Sequence, residues 1–85
     1  MTLLLHRDVT VTEVDDGVVL LDQRSGRYWH LNGTAGQMLK DLLAGHTPEE
    51  TAARITSSDD AFHAQVTSDV RALIDGLGRA GLVAA

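Results

Sequence analysis

The sequence predicts an α+β fold, a three-stranded antiparallel sheet followed by three helices, as one domain over residues 1–85. Three observations predict it. Short β-branched and apolar runs fill the first third, separated by Asp-Gly and Ser-Gly turn signals. From Asn32 onward, apolar residues recur at helical spacing. That helical part is broken at Gly45 and again near Ser57, each time followed by residues that start helices.

Leu3 to Leu5 form a short strand or pack against one. Val9-Thr10-Val11-Thr12-Glu13 alternates and is β-branched, the mark of a half-buried strand. Asp15-Asp16-Gly17 is a hairpin turn, because glycine accepts positive φ without strain. Val18 to Leu21 is a continuous apolar run, as expected of a strand covered on both faces or central among three. Gln23-Arg24-Ser25-Gly26 turns the chain again, and Tyr28 to Leu31 forms the edge strand. Period two puts Trp29 and Leu31 on the core face and Tyr28 and His30 on the other.

Ala35, Met38, Leu39, Leu42 and Leu43 fall on one face of the first helix. Asn32 or Thr34 is its N-cap, and Gly45 ends it. Thr47-Pro48-Glu49-Glu50 combines a capping threonine, proline at the first helical position and a glutamate in capping-box spacing. It starts a short helix reaching about Ile55. Ser57-Ser58-Asp59-Asp60 opens the third and longest helix. Phe62, Val66, Val70, Leu73, Ile74 and Leu77 form its apolar stripe, with Asp69 on the border. Gly76 and Gly78 weaken its end and Gly81 stops it. Leu82-Val83 then folds back onto the core.

Composition narrows the function. A chain of 85 residues buries only about 60–65% of its unfolded surface, so the core is thin and apolar residues are structural first. The net charge of −5 disfavours a phosphate backbone as partner and suits a short cationic peptide better. The chain has no cysteine, which excludes disulfides and thiolate chemistry. Its apolar runs are too short to span a membrane, and no signal peptide is present, so a cytoplasmic protein is expected.

Catalytic candidates dissolve into local roles. His6, His30, His46 and His63 match no metal-ligand spacing. Asp15-Asp16 and Asp59-Asp60 sit at a turn and a helix start, where aspartate serves the backbone. No phosphate-binding glycine loop or nucleophile elbow occurs. The expectation is a protein that is not an enzyme and has no cofactor and no metal. What remains is the edge strand. If the third helix lies beside it, strand and helix enclose a groove with backbone donors and acceptors on one wall and apolar side chains on the other. Such a groove suits strand addition by an extended peptide.

The order of strands and helices is winged-helix-like. Asp22, the run Gly26-Arg27-Tyr28-Trp29-His30-Leu31-Asn32, Gly36, Met38-Leu39, Leu43-Ala44-Gly45 and Thr47-Pro48-Glu49-Glu50 together resemble the PqqD family of RiPP recognition elements. The resemblance covers nearly the whole chain. It is nearest to the discrete leader-binding proteins of lasso-peptide pathways. It implies that a precursor leader peptide pairs antiparallel to the third strand along Arg27, Tyr28, Trp29, His30 and Leu31. It places the helical wall at Val66, Asp69, Val70 and Leu73. It implies separate partners, a leader protease and a cyclase. Two other readings stand beside it: a PqqD-type peptide chaperone for a radical SAM enzyme, and a winged-helix DNA-binding protein. Against the latter, the third helix sets Arg71 and Arg79 against Asp60, Asp69 and Asp75.

Overall fold

The computed structural model describes residues 3–56 and 62–84. Strands β1 (Val9–Val14), β2 (Gly17–Asp22) and β3 (Arg27–Asn32) precede helices α1 (Gly33–Leu43), α2 (Pro48–Thr56) and α3 (His63–Arg79). The sheet is an antiparallel meander in the order β1-β2-β3, which leaves β3 at an edge as predicted.

Each turn has a local cause. Val14 pairs with Gly17, so Asp15-Asp16 is a two-residue hairpin loop. Gly17 has φ 151°, and a Cβ there would collide with the Leu31 carbonyl oxygen. The glycine is thus required by the close approach of β3 as well as by the turn. Between β2 and β3, Ser25 and Gly26 donate their backbone N–H groups to the Asp22 carbonyl.

The pleat sorts side chains as the alternation predicts. Val18 and Leu20 are buried, and their cross-strand partners Leu31 and Trp29 pack beside them on the core face. Tyr28, on the opposite face, is 72% exposed. β2 is therefore covered on its core face only, with Val19 and Leu21 half-buried on the other.

The helix starts follow capping chemistry. The Asn32 side chain accepts the Ala35 N–H at 2.9 Å, so Asn32 and not Thr34 caps α1. At α2 the box is reciprocal: Glu50 N–H donates to Thr47 Oγ1 at 3.0 Å, and Thr47 N–H donates to Glu50 Oε1 at 2.8 Å. The residues predicted to open α3, Ser57 to Asp60, lie outside those described. Phe62 departs from the predicted stripe and is 60% exposed. It occupies the cap position, ahead of the residues whose helical phase turns the stripe inward.

Two apolar clusters make the core. Val9, Val18, Leu20, Leu39, Leu77 and Leu82 join the sheet to α1 and the end of α3. Met38, Leu42 and Val70 join α1 to α3. Past Gly81 (φ 72°), Leu82 folds back as predicted, and Leu5 bridges Val83. Backbone bonds from His6 to Leu82 and from Ala84 to Leu4, each 2.8 Å, tie the two ends of the chain together.

Candidate functional site

β3 is flanked by β2 on one side and has no strand on the other among the described residues. In an antiparallel pair every second residue directs its N–H and C=O away from its neighbour. The free side of β3 therefore presents a ladder of unsatisfied donors and acceptors. Trp29 and Leu31 of β3 line a common cavity with side chains of α3, although the two backbones scarcely approach one another.

The space between them is an apolar groove of about 270 Å³. Trp29 and Leu31 form the strand wall, Leu20, Leu77 and Leu82 the floor, and Ala72, Leu73, Gly76 and Ala80 the helical wall. Ala72, Gly76 and Ala80 recur every four residues, a row of small side chains down one face of α3. Small residues keep that wall low, and nothing lies within 4 Å of where a Cβ on Gly76 would be.

A charged clasp joins the turn before β3 to the segment after α3. Arg24 donates to both carboxylate oxygens of Asp22 at 2.9 Å, and its Nη2 donates to the Gly81 carbonyl at 2.7 Å. The turn before β3 is thereby fixed to the end of α3, and the two walls cannot drift independently. The Arg24 guanidinium holds the Asp22 carboxyl below the usual carboxylate range, and Asp22 raises Arg24 in return.

The predicted site residues divide by side chain. Trp29 and Leu31 line the groove, as does Leu73. The Arg27 guanidinium lies 5.4 Å from the centre of the groove-lining Trp29 ring, a cation–π contact. Tyr28 and His30 point to the other face of the sheet, where His30 Nε2 lies 3.0 Å from Asp16 Oδ1. Their backbone, not their side chains, belongs to the edge. On α3, Asp69 is exposed, Val66 is half-buried against the second core cluster and Val70 is 0% exposed. Val70 packs with Met38 and Leu42 and offers the groove no surface, because α1 covers its part of the stripe. The helical wall thus lies one to two turns nearer the C-terminus than the sequence suggested. Ala72, Gly76, Leu77 and Ala80 were not singled out there as groove residues. The signal available was the small-residue row with a glycine in mid-helix, where glycine is unfavourable.

A larger depression, about 650 Å³, lies between α1 and α2 beside Gly33, Thr34, Gln37, Asp41, Arg54 and Ile55. Its buried carboxylate, Asp41, is already engaged by Gln37 and Arg54, each at 3.1 Å. Through Asp41, Arg54 ties α2 to α1. Among the described residues, no three His, Asp or Glu side chains converge as a metal site, and no helix is long and apolar enough to cross a membrane.

Among curated protein sequences, none matches the chain. A solved structure of a lasso peptide synthetase B1 complexed with the leader peptide is 35% identical, covers 100% of both chains and superposes with a TM-score of 0.90. The structure of TbiB1 in complex with the TbiA(beta) leader peptide is 26% identical, covers 94% of this chain and 93% of that one, and gives a TM-score of 0.81. The profile of the family described as coenzyme PQQ synthesis protein D (PqqD) matches residues 17–83, from the first residue of β2 to the segment that folds back after α3. The chain is therefore a member of the PqqD family, built as a PqqD-like RiPP recognition element.

Proposed function

We propose that this chain is a non-catalytic adaptor of lasso-peptide biosynthesis. It binds the leader of a ribosomally synthesised precursor as a fourth, antiparallel strand on β3, seated against α3. It then presents the precursor to a separate leader protease and cyclase. The observation that carries the reading is the unpaired β3 edge facing an apolar groove. That both solved relatives hold leader peptides supports it. Main-chain bonds along Arg27–Leu31 supply affinity, and the groove selects alternate side chains of the incoming strand.

The test is a titration with the leader of a precursor encoded beside this gene. Trp29 is the only tryptophan and lines the groove, so its emission reports occupancy directly. Nanomolar to micromolar binding is expected. A leader that binds no better than its scrambled version rules the reading out. Presentation is tested separately, by whether the protein accelerates leader cleavage by the co-encoded protease.

A second reading is a PqqD-type peptide chaperone for a radical SAM enzyme, since the matched family is described as coenzyme PQQ synthesis protein D. The groove serves either role. The enzyme that captures the leader complex decides between them. DNA binding is disfavoured, because the α3 cations Arg71 and Arg79 are paired with Glu49 and Asp75.

A further inference from the structure

Opposite charges stand near the groove, one at the start of β3 and one on α3. At the β3 start, Arg27 is exposed, has no ion-pair partner among the described residues and stands over the groove-lining Trp29. On α3, Asp69 is exposed and, among the described residues, accepts a side-chain hydrogen bond only from the Gln65 amide, at 3.0 Å. Advanced at about 100° per residue, Asp69 falls within about 60° of Ala72, Leu73, Gly76 and Ala80, so it continues the groove wall one turn toward the helix N-terminus. Arg71, Asp75 and Arg79 fall about 80° or more away on the same wheel, and all three are engaged in ion pairs. The Arg24–Gly81 clasp places the start of β3 beside the end of α3. β3 therefore runs from the Arg27 end toward the Asp69 end.

We infer that Asp69 and Arg27 read the direction of the bound peptide. The ligand is a dipolar extended segment, with a basic side chain near its start and an acidic one near its end. This rests on the strand-addition reading above. An antiparallel strand on β3 begins beside Asn32, on the Asp69 side, and finishes beside Arg27. From Asp69 to Ala80, α3 advances about 16 Å at 1.5 Å per residue, which an extended chain covers in about five residues. The basic and acidic residues of the ligand are thus about five positions apart. A backbone ladder alone accepts a strand in either direction or register, whereas two fixed charges penalise the reversed one.

The probes are two capped peptides of identical composition. Each alternates valine and threonine between one lysine and one glutamate set about five positions apart, one in Lys-first and one in Glu-first order. Affinity is read from Trp29 emission at low ionic strength and again in about 0.5 M salt, where exposed charges are screened. The Lys-first peptide should bind about five- to tenfold more tightly, the scale of two weak exposed pairs made or broken together. The advantage should shrink in salt. In the double variant Asp69→Lys with Arg27→Glu the preference should reverse. Both positions are exposed, and an unchanged circular-dichroism melt verifies the fold. Equal affinities for the two orders, or a preference that survives the double reversal, overturn the charge-reading proposal while leaving strand addition intact. Failure of both orders and of the native leader to bind overturns both.

Discussion

At the scale of single residues, Val70 shows what periodicity reveals and what it hides. Its spacing from Val66, Leu73 and Leu77 marks it as inward-facing, and it is. Periodicity cannot say which neighbour covers which part of an inward face. Here α1 reaches Val70 through Met38 and Leu42 but leaves Leu73 partly open to the groove. Asn32 poses a similar problem. Both Asn32 and Thr34 suit a cap, and only the backbone path of β3 decides that Asn32 takes the role. Gly17 was legible as a turn glycine, yet its second constraint, the nearby Leu31 carbonyl, belongs to a neighbouring strand. We expect Val70→Ala to lower stability by about 1–3 kcal/mol, from lost methyl burial and a residual cavity, as measured by urea unfolding.

At the scale of elements, all three strands and the helix order were legible, because hairpin turns and caps are local chemistry. The position of the groove wall along α3 was not, because it depends on which part of the α3 stripe α1 covers. The wall contains Gly76, and glycine in a helix interior is about 1 kcal/mol less favourable than alanine. A Cβ at Gly76 or Gly78 would meet no other atom within 4 Å, so packing forbids alanine at neither position. Only Gly76 lines the groove. Gly76→Ala and Gly78→Ala should each raise stability by about 0.5–1 kcal/mol in thermal melts. Leader affinity, measured by calorimetry, should fall for Gly76→Ala, whose methyl group narrows the groove, and hold for Gly78→Ala. A drop of equal size in both would mean that helix flexibility matters and groove depth does not.

At the scale of the whole molecule, the ends of the chain and the turn before β3 converge on the end of α3. The Asp22–Arg24–Gly81 clasp joins them across the fold. This long-range link was not legible: Asp22 stood out only as part of a family pattern. Its pH dependence follows from the depressed Asp22 carboxyl. A carboxylate whose folded value lies below its unfolded value of about 3.9 stabilises the fold fully above that pH. The contribution is lost as pH falls through the folded value. Glu13, held low by Lys40, and Glu50, held low by the Thr47 N–H, act in the same direction. The melting temperature should therefore drop below about pH 4. In Asp22→Asn the drop should be shallower, from a lower starting point at neutral pH. An identical acid profile in the variant would remove Asp22 from the account.

The bare edge of β3 has an evolutionary consequence. Its donors and acceptors are peptide groups, which every residue but proline supplies in full. A point substitution along Arg27–Leu31 changes a side chain and leaves the hydrogen-bonding ladder in place. The groove wall on α3 enjoys no such immunity, since its shape is set by which residue types stand at positions 72, 73, 76 and 80. On the strand-addition reading proposed above, anchorage rests on backbone and discrimination on side chains, so the two respond differently to drift. Duplicated copies of such a domain could diverge along α3 toward separate precursors while retaining a shared means of gripping them.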